Sequence, residues 1–473
     1  MKIKLLLLLL ISQNFWAQAP DIDWIRALPT PINGGYGHDI LIESDGGIIT
    51  GRGNGSLLTI AKLSPTGEII WEYDVDSSHP GNNVIAVLAG ADSDFFLVCL
   101  SSDEINLVNP FPTIRKLDAL GNVLWTREYR SLIGTELYQA EESTDNGIML
   151  FGSYCNVVKL DGEGTIVWQQ PPTFFPSTLY SSAFKLTTDG YIVTAFNITD
   201  TFDSMSIIYK VNNAGELQWL QQIPIVNIAL FYLDTDADGG ILFGGDTSWI
   251  ETSGTSDIHL WKLDALGNIL WTQSYGGSQQ ETLTGIKSVT GGHVFMANSN
   301  SNNGDVGSNI GNIDIWLVKI NETGEILWKK LIGGTGYDLS YTGYPITILD
   351  QMPDGSLIYM ARTDSSDGDF TGIGPLIGQF VMKMTPEALA NPTFSPTEFV
   401  AYPIPTNNVL HLGLKNGVLV NTVTIYNQLG QLVMTIQDAQ KSGQIDVSKL
   451  QTGQYLVKVT TDQGEAVAKF IKE

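Results

Sequence analysis

Two loops in the second half of the chain concentrate the side chains that a hard cation prefers. Ser299 to Gly307 reads SNSNNGDVG, and Asp364 to Phe370 reads DSSDGDF. Carboxylate, amide and hydroxyl oxygens alternating around a Gly supply the donor set that Ca2+ takes, although the bidentate Glu that closes a helix-flanked calcium loop is absent. Asp305, Asp314, Asp364, Asp367 and Asp369 are therefore candidate calcium ligands. The alternative is a set of Asx turns, each side chain accepting from nearby backbone amides. Three further carboxylates share a spacing: GGYGHD, GGSQQE and GGTGYD place Asp39, Glu281 and Asp338 four residues beyond the second Gly. Such groups either hold a cation or polar ligand or accept hydrogen bonds from the amides of their own turn. Trp249 and Phe370, aromatic within polar loops, suit stacking on a sugar ring or anchoring the loop to its scaffold. Asp39, Trp249, Glu281, Asp338 and Phe370 make up the candidate ligand-binding set.

The elements that must position these residues come from a repeat. KLSPTGEIIW, KLDALGNVLW, KLDGEGTIVW, KVNNAGELQW, KLDALGNILW and KINETGEILW begin at Lys62, Lys116, Lys159, Lys210, Lys262 and Lys319. Each reads as a strand ending in Lys, a tight turn with Gly at the sixth position, and a second strand bearing a Trp, which is a hairpin. A second hairpin, turning at SDGG, TDNG, TDG, DADGG, TGG or PDG, lies between each Trp and the next Lys. Four antiparallel strands at a period of about 50 residues indicate a β-propeller blade. The repeat is split at its ends. Asp23 and Trp24 begin a strand whose partner phrase, GQFVMKMTP at Gly378 to Pro386, has Lys383 but no Trp. The N-terminal strand is expected to complete the last blade, giving a seven-bladed β-propeller closed by hydrogen bonds between its two ends. The repeat Trp residues are expected to pack between neighbouring blades.

Loop length then distinguishes the two faces. The DGG-type and DALG-type turns share one face and are tight. Ser101 to Pro112, Asp246 to Asp257, Asn298 to Asp314 and Thr363 to Gly378 share the other and are long and polar. Long loops on a rigid scaffold are where binding residues concentrate, so function is expected on this decorated face.

Composition narrows the partners. Fifty Asp plus Glu against 25 Lys plus Arg give a formal charge of −25, which repels nucleic acid and anionic membranes. The N-terminus has Lys2 and Lys4 before a Leu-rich run and small residues at Ala17 and Ala19, the anatomy of a signal peptide over residues 1–19. That run is too short for a membrane span, so the mature chain is expected to have none. Cys99 and Cys155 match no metal or redox spacing, and both lie in apolar strand-like runs where buried thiols are expected. The five His residues show no zinc-ligand spacing. No nucleophile elbow or phosphate loop can be singled out.

After a propeller over residues 20–386, a Pro- and Thr-rich linker at 387–397 leads to a different module at 398–473, a series of short alternating strands with Gly at the turns. Its markers are Tyr402, Pro403 and Pro405; Ile425, Tyr426, Gly430 and Leu432; Asp446, Gly453, Tyr455 and Val457; and the closing Lys469, Ile471 and Lys472. These resemble the type A C-terminal sorting domain of the type IX secretion system of Bacteroidota, with Ile404 in place of the Asn usual in the Tyr-Pro-Asn-Pro opening. The resemblance implies a small C-terminal β-sandwich, handling by the type IX secretion machinery, and release or attachment outside the cell. The repeats themselves resemble Gly- and Asp-rich propeller repeats of exported Bacteroidota proteins. They are also similar to the Trp-containing blades of quinoproteins, without the vicinal Cys pair those enzymes place over their cofactor. The chain is thus read as all-β and as an exported, non-catalytic binding protein that captures a glycan or protein on its decorated face. The alternatives are a polysaccharide lyase or hydrolase on that face, or a structural surface spacer.

Overall fold

The computed structural model describes residues 18–28, 38–54, 57–75, 79–104, 109–132, 137–152, 156–170, 180–197, 205–223, 229–246, 255–339, 348–373, 378–387, 399–414, 420–427, 432–437, 444–461 and 464–473. Residues 1–17 of the expected signal peptide, Trp249, Cys155 and Gly430 lie outside them. The described residues form an all-β protein in two units, Met1–Glu387 and Ala388–Glu473.

The first unit is a β-propeller. Each blade is a four-stranded antiparallel meander in chain order, beginning with His38–Ile42, Ile48–Asn54, Leu57–Leu63 and Ile69–Val75. Among the described residues six sheets of the first unit have this form, and a seventh, of five strands, departs from chain order. In that sheet Ile22–Ala27 pairs antiparallel with Gly378–Met384, Trp24 lying opposite Lys383 and Ala27 opposite Phe380. The two ends of the unit therefore close the ring by hydrogen bonds, as the split repeat requires.

Local chemistry builds each hairpin. In DALGN, Asp118 Oδ1 accepts from the amides of Leu120 and Asn122 at 2.9 and 2.8 Å. Gly121 adopts φ +80, and the pairing register shifts between Lys116 and Leu117. This is a type I turn followed by a left-handed Gly and a bulge, a common way of closing a hairpin. The same shift follows the Lys of the other complete copies, for example between Lys262 and Leu263.

A second demand falls on that Gly. A Cβ built on Gly67 would lie 2.7 Å from the ring of Trp24, one on Gly164 would lie 2.8 Å from Trp125, and one on Gly267 would lie 2.7 Å from Trp219. In each case the Trp belongs to the preceding blade, so the repeated Trp of one sheet covers the repeated Gly of the next. In most copies the repeated Lys reaches a carboxylate of its own blade. Lys62 pairs with Glu43 at 2.7 Å, Lys159 with Asp145 at 2.5 Å, Lys210 with Asp189 at 2.8 Å and Lys262 with Asp236 at 2.5 Å, tying the third strand to the turn between the first and second.

Apolar burial runs between blades as well as within them. One cluster joins Ile60 and Val75 of the first sheet to Phe95 and Leu97 of the second, and another joins Leu317 and Trp328 of the sixth to Tyr359 and Phe380 of the seventh. Leu28, Met360 and Val381 then meet Ile40 and Leu63, completing the circuit. Blades are wedges glued by shared hydrophobic cores.

At the end of the first unit, the Glu387 carboxylate accepts hydrogen bonds from the Trp328 indole N–H and the Lys319 ammonium. The sixth blade has Thr290 rather than Asp in its DGG-type turn, and Glu387 supplies the missing carboxylate. The first unit ends at Glu387.

The second unit has a three-stranded sheet, Phe399–Tyr402, Val409–Leu414 and Gln444–Asp446, and a four-stranded sheet of Leu432–Gln437, Val420–Asn427, Gly453–Thr461 and Gly464–Lys472. Leu410, Leu412 and Ile445 of the first join Val423, Ile425, Val457 and Phe470 of the second in one core, the arrangement of a β-sandwich. Tyr402 stacks on His411, and Tyr455 stacks on Phe470 while its hydroxyl donates to Gln451 O at 2.8 Å. Lys469 is exposed, opposite Leu456, and Gly453 lies opposite Lys472.

Candidate functional site

The two oxygen-rich loops fold as twins, and each grips the Gly-Gly link at the start of its blade. In the sixth blade, successive amides of Gly276, Gly277, Ser278, Gln279 and Gln280 donate to Asp305 Oδ2, Glu281 Oε2, Asn303 Oδ1, Ser301 Oγ and Asn300 Oδ1 at 3.3, 2.8, 2.8, 2.9 and 2.9 Å. In the seventh, amides of Gly333, Gly334, Thr335, Gly336 and Tyr337 donate to Asp369 Oδ2, Asp338 Oδ2, Asp367 Oδ1, Ser365 Oγ and Asp364 Oδ1 at 3.0, 2.7, 2.7, 2.9 and 2.6 Å. Of these five consecutive amides, four reach the long loop and one reaches Glu281 or Asp338 at the start of the following strand, and together they form a donor surface of the kind that binds anions. Here the protein's own side chains occupy it.

The Gly pairs are required by proximity. A Cβ on Gly277 would meet Ser301 at 2.5 Å, and one on Gly334 would meet Asp367 at 2.5 Å. Asp305 and Asp369 each close the clamp twice, since their own amides donate back to Gly276 O and Gly333 O at 2.8 and 3.0 Å.

This geometry places the sequence-derived residues as follows. Glu281 and Asp338 are buried and accept from their own turns, and each takes a hydroxyl besides, from Ser299 and Thr363 respectively. Asp39 is buried too, but its Oδ2 accepts from the amide of Val87 in the next blade at 2.8 Å; burial pushes its carboxyl well above the usual range. Of the calcium candidates, Asp305, Asp364, Asp367 and Asp369 each spend an oxygen on a backbone amide. Asp314 is fully buried, its Oδ2 accepting from Ile310 and Gly311 at 2.5 and 3.3 Å and its Oδ1 without a hydrogen-bond partner among the described residues. Burial, reinforced by Asp338 and Asp369, raises its pKa to about 6. Phe370 corrects the expectation of a sugar-stacking residue. It is 0 % exposed and packs on Phe380 at 5.1 Å, so it anchors the loop, as Val306 does in the twin.

Asp236, His293 and Glu322 are the group of potential metal ligands found close together among the described residues. Lys262 stands in their midst, 2.5 Å from Asp236, 3.3 Å from Glu322 and 2.9 Å from His293 Nε2. The ammonium supplies the positive charge that a metal would bring.

The innermost strands, which line the centre, are sheet edges and need cover for their amides. Side chains of neighbouring blades provide it: Gln139 and Glu141 accept from Phe184 and Leu186 at 3.0 and 2.7 Å, and Asp234 accepts from Ser288 at 2.8 Å. Lys185 bridges Glu141 and Asp234 at 3.4 Å each, and Lys287 meets Asp350 at 2.6 Å. Much of the central charge is therefore structural.

A groove of about 870 Å3 crosses the third, fourth and fifth blades on the face of the tight turns. It runs over the turns at Ser143–Asp145, Thr187–Asp189 and Thr235–Gly239, with Trp168, Tyr191 and Met149 among its lining. Loop length gave no sign of it, because a groove between short turns needs no long loop. The turn carboxylates and the spaced Lys residues that rim it were legible in the repeat.

No curated protein matches the chain. Solved structures similar to it include BamB from Moraxella catarrhalis, at 12 % identity and a TM-score of 0.42, covering 78 % of this chain and 100 % of that one. Another is PorZ, a surface component of the type IX secretion system of Porphyromonas gingivalis, at 11 % and 0.46, covering 94 % of this chain and 61 % of that one. A third is the WD40 domain of Neurospora crassa Pan2, at 11 % and 0.47, covering 77 % and 95 %. The propeller assignment follows from the sheet topology described above. No helix among the described residues is long and apolar enough to cross a membrane. Residues 400–473 match the family model of the secretion system C-terminal sorting domain. With Tyr402, Gly453, Tyr455 and Lys469 set in a two-sheet sandwich, the C-terminal unit is a sorting domain of that family, and the chain is a type IX secretion cargo destined for the cell surface or the medium.

Proposed function

We propose that the chain is a non-catalytic binding protein, a rigid propeller delivered outside the cell to capture a glycan or protein. The observation that carries this reading is the groove across the third to fifth blades. Its size falls in the range of about 300–1,000 Å3 common to ligand sites, and its rim is held rigid by the Lys–carboxylate pairs. The long loops of the sixth and seventh blades support it indirectly. Their polar atoms are engaged in clamping blade to blade, which stiffens the ring.

The test is incubation of the exported chain with a panel of immobilised polysaccharides and surface proteins, following both retention of the chain and release of soluble fragments. Retention without release is the expected outcome. Release of oligosaccharides would make the protein an enzyme, and retention on nothing would leave a structural spacer.

A further inference from the structure

We infer that the groove is an oligosaccharide site selective for neutral or amino-bearing sugars, an inference that rests on the binding function proposed above. Sugar sites combine an aromatic surface for the C–H face of the ring with fixed polar groups for its hydroxyls. Both are present. Trp168 is half-buried and lines the groove together with Tyr191, and the hydroxyls of Thr144 and Thr188 and the amide of Asn213 join them.

The carboxylates decide the charge of the ligand. Asp145, Asp189 and Asp236 are held by Lys159, Lys210 and Lys262 at 2.5, 2.8 and 2.5 Å, so their orientation is set before any ligand arrives. Each still has lone pairs for a sugar hydroxyl, since a carboxylate accepts about four hydrogen bonds. Glu142 and Asp238 also line the groove, and no salt bridge among the described residues involves either. Five carboxylates against Lys159, Lys210 and the Lys262 that holds Asp236 leave the site net negative, as is the whole chain at −25. Sulfated or uronic polymers are repelled, whereas a hydroxyl-rich chain is tolerated and an amino group is attracted.

The groove crosses three successive blades, so the ligand is a run of residues rather than a single sugar. The lining also predicts how to block it. Ala237 and Thr188 are exposed on two different turns of the rim, and enlarging either fills the groove without touching the inter-blade cores.

The experiment is titration of the full exported chain with chitosan oligomers, neutral β-glucan oligomers and alginate oligomers, using wild type, Ala237→Arg and Thr188→Trp, with melting temperature as the folding control. Binding of the amino or neutral oligomers and not of alginate is expected, with affinity falling at least tenfold in Ala237→Arg and in Thr188→Trp while melting is unchanged. Equal binding in wild type and both variants would overturn the groove as the site while leaving the protein a binder. Preference for alginate would overturn the charge argument. If the three sugars all failed but a surface protein was retained in the broader panel, the ligand class would be wrong and the binding function would stand; failure of both would remove the binding function itself.

Discussion

The Lys262 ammonium lies 2.9 Å from Nε2 of His293, across the junction of the fifth and sixth blades. An ammonium can only donate, so Nε2 accepts and the ring is neutral, its Nδ1 proton directed at Ser288 Oγ 3.0 Å away. Burial, and then the Lys262 charge, lower the His293 pKa; Glu322 and Asp236 oppose the shift. A His depressed in the folded state binds its proton more readily when unfolded, so the stability it contributes is present above the unfolded value and lost as pH falls through the folded one.

Replacing Lys262 with Met should therefore do two things. It leaves Asp236 without its buried partner, at a cost of about 3 kcal/mol, and it raises the His293 pKa. Chemical denaturation and a histidine NMR titration check the two effects separately. An unchanged His293 titration would show that Lys262 does not control the ring.

Gly267 and Gly355 both have φ +85, but an added Cβ meets Trp219 at 2.7 Å in the first and nothing within 4 Å in the second. Gly355→Ala should cost about 1 kcal/mol for left-handed strain alone. Gly267→Ala should cost about 3 kcal/mol, the excess being the displaced Trp. Equal losses would mean that the Trp–Gly contact between blades carries no energy.

The Glu387 carboxylate holds Trp328 and Lys319 where the repeat lacks its own acid. Glu387→Ala in the full chain is expected to lower unfolding free energy by about 2 kcal/mol and to speed hydrogen exchange in the sixth and seventh sheets first. Uniform acceleration around the ring would deny it a local role.

Asp314, with its pKa at about 6, prefers its proton in the folded state. Its contribution is full below the unfolded value and disappears as pH rises through 6, so the ionised carboxyl is a burden at pH 7.5. Asp314→Asn keeps an acceptor for Ile310 and Gly311. It should raise the melting temperature by about 2–4 °C at pH 7.5 and change little at pH 4. A lower melting point at pH 7.5 would show that the ionised form is held there by a cation.

The clamp loops supply a related test. Because Asp367 accepts from Thr335, Asp367→Ala should speed exchange of the Thr335 amide by about tenfold while leaving the Gly277 amide of the twin unaffected. Wild-type protection is expected to be the same in calcium and in chelator. Calcium-dependent protection would identify Asp364, Asp367 and Asp369 as ion ligands.

The fold was readable because its constraints are local and repeated. Lys, Gly and Trp recur in every complete copy with recurring tasks: the Lys reaches a carboxylate, the Gly adopts positive φ, and the Trp packs on the neighbouring blade. Closure was readable from Trp24 without a Lys and Lys383 without a Trp. The site was harder. Asp364 and Asp369 have the composition of ion ligands, and only the placement of the Tyr337 and Gly333 amides reveals that an oxygen of each is engaged. The alignment of Ser301, Asn303 and Asp305 with Ser365, Asp367 and Asp369 was the available sign that these loops clamp. Phe370 showed the same ambiguity, since an aromatic in a polar loop looks alike from sequence whether it faces solvent or, as here, Phe380. The groove escaped notice because Trp168 and Asp238 are far apart in the chain and come to line one groove only through blade packing.

The closing pair has a mechanical consequence. Ile22 lies opposite Met384, so both ends of the propeller leave from the same end of one strand pair. A pull between those ends opens that pair like a zipper, one rung at a time, rather than shearing all of its rungs at once. The six other blades are not in the load path until those few rungs have parted, so under tension the seventh blade is a fuse.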